Sequence, residues 1–310
     1  MTLVCVRMEE SFGVSRITAL ADTRASIRRD DGSFKTVSDT TTKLFAVPVR
    51  CYRIESLSPV VGAWLDPYFE TQIGLGFSGS CFEALTVIAH ISQSLSALVA
   101  PKGDEPLPTR NGLVNLIAKH CETYFGGHSG DGKPILFLLA FGFEDGKPWV
   151  AKFTASREDG IKSDAVWADK NTLVTIGQDR LFQKYAGDWR DRIQKHQGQV
   201  SARKASSTAD GAFEKSLEVA RHDVAERKLT EQEMLRQIES EFAESIGGVL
   251  QRLELSIYDG QVVSGFTCDD RPYMHGTSCN VTQGTFLGPV PITEKMGRKA
   301  REPDTLVSEV

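Results

Sequence analysis

Apolar and polar residues alternate along Thr2-Leu3-Val4-Cys5-Val6 and again over residues 16–22, the two-residue period of a half-buried strand. Residues 9–13, which hold Glu9, Glu10 and Gly13, read as the turn between the two strands. Residues 28–42 are polar, charged and threonine-rich, which predicts an exposed hairpin or loop leading to a strand from Lys43 to Arg50. Residues 52–72, with Pro59, Gly62 and Pro67, look like an insertion, and Ile73 to Phe77 is a short apolar strand ending in the turn Gly76-Phe77-Ser78-Gly79-Ser80. The period then changes. Phe82, Leu85, Ile88, Ala89, Ser92, Leu95 and Val99 follow a helical stripe, and Ser80 and Glu83 have the spacing of a capping box at its start.

A proline-rich break at residues 101–108 precedes a second helix near residues 112–124. Residues 134–143 and 149–154 flank Asp145-Gly146, a strong turn pair, and read as a hairpin. Residues 171–176 are a further strand, closed by Gly177. Two charged helices fit residues 209–228 and 231–246, with Thr230 and Glu233 as a second capping box and Leu217, Val224, Leu235, Ile238, Phe242 and Ile246 as the buried face. Residues 249–266 return to strand around Asp259-Gly260. From Arg271 on, prolines, glycines and charges predict an extended or disordered tail. Strands, two helices, strands, two helices and strands form an α+β order, with helices covering both faces of stacked antiparallel sheets. The expected organisation is one domain over residues 2–270, with the insertion at about 52–72, and a tail over 271–310.

Composition narrows the function classes. The chain has 310 residues, 40% hydrophobic and 25% charged, as a soluble globular protein does, and its net charge of -5 offers no footprint for nucleic acid or an anionic membrane. No run approaches the roughly 18–20 apolar residues of a membrane span. Early charges at Arg7, Glu9 and Glu10 interrupt any signal-peptide core, so the expected location is cytoplasmic. The six cysteines lack C-x-x-C and metal spacing and fit free thiols in a reducing compartment. The six histidines never fall at ligand spacing either, so no metal or cofactor is implied.

Candidate chemistry begins at Thr2. Trimming Met1 would expose a hydroxyl and a free amine on one residue, a nucleophile paired with its own base. An unperturbed α-amine titrates near 7.7–8.0, so it can take the hydroxyl proton near neutral pH. A neighbouring lysine would favour the neutral amine and stabilise the alkoxide, a role open to Lys43 at the start of a strand. Asp22 is placed to hold Lys43 ionised and aimed. The Gly79 N–H, at a helix N-terminus, is placed to form an oxyanion hole. Taken singly each feature is bland: Asp22 also suits a turn, Lys43 a solvated surface, and the glycine turn an ordinary strand–helix junction. Their order and spacing give them weight.

With those residues in view, the chain resembles the proteasome-type Ntn hydrolases, among them proteasome β subunits and the bacterial HslV-type and Anbu-type proteins. The resemblance runs over about residues 2–186 and more weakly to 266. It rests on the Thr2-led strand, Ala21-Asp22-Thr23-Arg24-Ala25-Ser26, Lys43-Leu44-Phe45-Ala46-Val47, Gly76-Phe77-Ser78-Gly79, Leu173-Val174-Thr175-Ile176-Gly177 and Ser245-Ile246-Gly247. It implies a four-layer α-β-β-α sandwich of two antiparallel sheets, and a threonine-type peptidase acting through an acyl-enzyme on Thr2, with Asp22, Lys43 and Gly79 in support. It implies that Ala25, Phe77 and Cys81 line the pocket for the residue before the cut. Backbone groups around Ser26 and Gly79 would pair with an extended peptide. The expected partners are further copies of the chain in a ring or spiral, a peptide or unfolded-protein substrate, and an ATP-dependent unfoldase whose presence is left open. Gly177-Gln178-Asp179 stands where the family has Gly-Ser-Gly, so the supporting serine is missing there, and Glu244, Ser245 or Asp179 are the candidates to orient the amine. Two rival readings are a catalytically silent ring or scaffold subunit and an Ntn amidase of a small amide.

Overall fold

The computed structural model describes residues 3–11, 14–58, 60, 63–127, 135–169, 172–177, 231–232, 234–235, 246–268, 271–274 and 277–278. Along the chain run β1 (Leu3–Ser11), β2 (Val14–Asp22), β3 (Ala25–Arg28), β4 (Phe34–Ser38), β5 (Leu44–Arg53), β6 (Leu57–Ser58), β7 (Ala63–Trp64), β8 (Phe69–Gly79), α1 (Cys81–Leu95), β9 (Leu98–Ala100) and α2 (Arg110–Gly127). Then follow β10 (Ile135–Glu144), β11 (Lys147–Ser156), β12 (Gly160–Trp167), β13 (Leu173–Gly177), β14 (Leu250–Tyr258), β15 (Gln261–Cys268), β16 (Arg271–Met274) and β17 (Thr277–Ser278). One sheet has the order β13-β1-β2-β14-β15-β16-β17 and the other β12-β11-β10-β8-β5-β9. Neighbours are antiparallel except β5 and β9, which run parallel.

The strand period sorts the apolar residues into layers. Val4, Val6 and Met8 of β1 meet Leu139 and Phe141 of β10 and Val150 of β11 between the two sheets. The alternate residues Leu3 and Cys5 face the other way and pack with Leu20, Met234 and Ile246. On the second sheet Val47, Val49, Ile73, Leu75, Leu136 and Leu138 pack instead against Val87, Ile91, Leu113 and Ile117 of the two helices. A helix pair, a sheet and a second sheet are therefore stacked in that order. Met234, in helical backbone, lies on the outer face of the β1–β2 sheet. Among the described residues no helix is long and apolar enough to cross a membrane.

The two Asp-Gly pairs turn as expected: Asp145 and Gly146 have φ of 50° and 76°, Asp259 and Gly260 of 50° and 73°. Two successive positive φ values match the twist of the hairpins β10–β11 and β14–β15. The segment at 28–42 is a hairpin, β3–β4, apart from both large sheets. The helical stripe is displaced from its expected phase. α1 buries Ala84, Val87, Ile88, Ile91 and Leu95, while Phe82 is 75% exposed and Leu85 also stands out. The helix ends at Leu95, and Val99 belongs to β9, because backbone pairing with Tyr52 of β5 is available there. The expected capping box is not formed: Ser80 precedes the helix without a side-chain cap, its N–H donating instead to Ile135 O at 3.0 Å. β16 and β17 continue the first sheet into the segment expected to be a tail. The predicted helix at 209–228 and nearly all of that at 231–246 lie outside the described residues, as does the chain from 279 on.

Candidate active site

β2 ends at Asp22 and β5 begins one residue after Lys43, so two strands of different sheets deliver a carboxylate and an ammonium to the same depth. Asp22 is 0% and Lys43 1% exposed. Lys43 Nζ donates to Asp22 Oδ2 at 3.0 Å and to Arg24 O at 2.5 Å. Asp22 in turn accepts from the backbone: Leu3 N–H on Oδ1 at 3.0 Å, and Arg24 N–H at 3.2 Å and Gly247 N–H at 3.3 Å on Oδ2. A buried pair is tolerable only when its charges are matched and its lone pairs filled, and both conditions hold here. Burial pushes the Lys43 ammonium below the ordinary lysine range, and the Asp22 carboxylate opposes that fall.

Local sequence explains how Asp22 is held. Its carboxylate caps the N–H two residues on, at Arg24, in the manner of an Asx turn. Thr23 Oγ1 donates to Asp39 O at 2.5 Å and accepts from Val249 N–H at 2.8 Å, while Thr23 and Arg24 N–H both donate to Gly247 O. Residues 246–249 are thus fastened across the end of β2. Gly248 makes that approach feasible: its φ is +78°, and a Cβ would lie 2.1 Å from Thr23 Oγ1. Arg24 adds an ion pair to Asp39 at 2.7 Å.

β8 supplies the other side. Phe77 N–H donates to Lys43 O at 3.2 Å, and two residues further the strand ends at Gly79, just before α1. Gly79 is exposed and has φ +105°, and a Cβ there would stand 2.1 Å from Ile135 O, so only glycine fits this junction. Cys81, the first residue of α1, is half-buried; burial pushes its thiol up and the nearby Lys43 charge opposes that rise.

The structure therefore brings Asp22, Lys43 and Cys81 together, with Gly79 on the adjoining strand–helix junction. Ala25 and Ser26 follow directly at the start of β3, with a bulge between them, and Ser26 Oγ is buried with no hydrogen-bond partner among the described residues. Phe77 differs from its expected place. Its side chain is buried in the core between sheet and helices, stacked on Phe45 at 6.3 Å, because strand alternation turns it toward α1. Thr2, Gln178, Asp179, Glu244 and Ser245 lie outside the described residues; the N–H of Leu3, which follows Thr2, is the atom bound to Asp22. From sequence, Thr23 stands out only as part of the Ala21–Ser26 segment, with no role of its own, and Gly248 and Gln251 do not stand out. The paired glycines Gly247-Gly248 were the one available signal.

No protein-family model matches the chain, and no curated protein does. Among solved structures, the chain is similar to an Anbu (Gly-1) mutant from Hyphomicrobium sp. strain MC1, with 15% identity and a TM-score of 0.45 over 87% of this chain and 88% of that one. It is also similar to Anbu (ancestral beta-subunit) from Yersinia bercovieri, with 14% identity and a TM-score of 0.44 over 88% and 89% of the two chains. These structural neighbours are of the Anbu type that the sequence resemblance named.

Proposed function

We propose that the chain is a proteasome-like Ntn hydrolase, a threonine-type peptidase whose nucleophile is Thr2 after loss of Met1. One observation carries the reading. The buried Lys43–Asp22 pair is tied to the N–H of Leu3, and so lies against the peptide bond that leaves Thr2. A positive charge beside an N-terminal residue favours its neutral amine, ready to accept a proton. In the proposed reaction the Thr2 hydroxyl attacks the substrate carbonyl while its proton passes to the α-amine. The Gly79 N–H faces the oxyanion as it forms. The new ammonium gives its proton to the departing amine, and the C–N bond breaks to leave an ester on Thr2. Water, deprotonated by the same amine, then cleaves the ester and frees the enzyme. The substrate backbone would lie along Ser26 and Gly79, with Ala25 and Cys81 bordering the side chain before the cut.

The four-layer α-β-β-α sandwich belongs to the same reading. Met234, in helical backbone on the outer face of the β1–β2 sheet, supports a second helix layer there. The silent-subunit and small-amide readings share this fold and differ in chemistry. Intact mass spectrometry and labelling with a peptide epoxyketone test the choice. The expected result is protein beginning at Thr2, with one adduct on that residue. Met1 retained in most molecules, or no adduct with Met1 removed, would replace the peptidase by the silent-subunit reading.

A further inference from the structure

Gln251 stands in β14 on the face between the sheets, where its neighbours along the strand, Leu253 and Leu255, belong to the apolar core. It is 0% exposed, and a primary amide in such a place must have both ends satisfied. Gln251 Oε1 accepts from Lys43 N–H at 2.9 Å, and Nε2 donates to Thr41 O at 2.9 Å. The partners fix the orientation of the amide, because an N–H needs the oxygen and a carbonyl needs the NH2. A donor and an acceptor two residues apart on one backbone are what a neighbouring strand would normally engage. Residues 41–43 precede β5 and, among the described residues, no strand engages this pair, so the Gln251 amide takes the place of a peptide unit. Thr41 N–H donates to Thr23 O at 2.9 Å and Lys43 O accepts from Phe77 N–H at 3.2 Å, which completes the fixation of this segment from three sides.

We infer that Gln251 is a positioning residue for the reaction: its amide clamps the backbone of residues 41–43 and thereby sets where the Lys43 ammonium sits relative to Asp22 and the nucleophile. This rests on the peptidase reading above. The charged and titratable groups that face Lys43 among the described residues are Asp22, Arg24 and Cys81. None of them holds the Lys43 backbone, and Gln251 touches none of the reacting atoms.

Gln251→Met keeps the length and removes both hydrogen bonds, and Gln251→Glu keeps the acceptor for Lys43 N–H and loses the donor to Thr41. With a fluorogenic peptide, Gln251→Met should lower kcat about tenfold or more with KM within about twofold. The acid limb of its kcat profile should move upward, toward the unperturbed α-amine value of about 7.7–8.0, because a displaced Lys43 charge depresses the amine less. Gln251→Glu should lie between Gln251→Met and the wild type. A merely structural defect would scale the whole profile down and leave its limb in place. An unmoved limb overturns the inference, and the isosteric Glu variant alone decides if the Met variant fails to fold. Hydrogen exchange at the Lys43 amide, which should quicken in Gln251→Met and stay close to the wild type in Gln251→Glu, reads the clamp without any activity; unchanged protection in Gln251→Met also overturns it. A wild type that neither cleaves nor labels at Thr2 overturns the peptidase reading instead, and the exchange arm still decides the clamp.

Discussion

At the scale of single residues, Asp22 and Lys43 are bound unequally. Without Lys43, the Asp22 carboxylate keeps the N–H groups of Leu3, Arg24 and Gly247. Without the Asp22 charge, Lys43 keeps the Arg24 carbonyl. Breaking a buried pair costs about 3–5 kcal/mol when the surviving charge is uncompensated, and less when hydrogen bonds still hold it. Lys43→Met should therefore lose about 1–2 kcal/mol in urea unfolding, and Asp22→Asn about 3–5 kcal/mol. Turnover should run in the opposite order. In the proposed reaction Lys43→Met removes the charge assigned to tuning the amine and should abolish cleavage, whereas Asp22→Asn leaves that charge less well aimed and should keep a residue of activity. Parallel losses in both measurements would mean that the pair serves only the fold. Thiol chemistry gives a second check on burial at this site. Cys5 and Cys121, each pushed up to about 12 by burial, should resist iodoacetamide in the folded chain near neutral pH. Cys81 should react measurably, and more slowly in Lys43→Met, because Lys43 is the charge that favours its thiolate.

At the scale of elements, the junction between β8 and α1 is the least forgiving. Gly79→Ala would put a methyl group 2.1 Å from Ile135 O in a backbone with φ +105°. The conformation alone costs about 1–3 kcal/mol, and the collision adds to it by pushing β8 from β10. Urea unfolding should show at least that loss, with turnover falling further than stability because in the proposed reaction the same residue would supply an N–H to the oxyanion; a shift within error would show the junction to be adaptable. The elements also show what sequence pattern can reveal. β1, β2 and both Asp-Gly hairpins were legible because alternation and turn chemistry are local. β12 was not, since it is an edge strand exposed along most of its length and carries no alternation to read. β8 begins at Phe69, earlier than its apolar run, because Glu70, Thr71 and Gln72 are polar yet pair with Arg50, Val49 and Pro48 of β5. α1 was found with its face misplaced, since Phe82 and Leu85 are as apolar as the residues it buries.

At the scale of the whole molecule, Asp22, Lys43 and Gly79 could be picked out as candidates because each ends or adjoins a recognisable strand. The residues that fasten them, Thr23, Gly248 and Gln251, became visible only when chain segments some 200 positions apart met, as the Gln251–Lys43 bond across 208 residues shows. The proposed assembly would have exposed apolar residues to draw on. Val60 at 92% exposure and Phe82 at 75% are large apolar side chains in water, and Ile27 and Val37 stand out on a hairpin that joins neither large sheet. A peptidase with an exposed Gly79 junction would also meet any unfolded chain nearby, and enclosure of the site by further copies would restrict access to threaded substrates. Closed rings or open spirals both arise from one repeated head-to-tail contact. Size-exclusion chromatography with light scattering should therefore report a mass several times that of one chain at micromolar concentration. A strictly monomeric mass with full turnover on folded proteins would contradict the enclosed assembly while leaving the Thr2 chemistry to be judged by its own labelling.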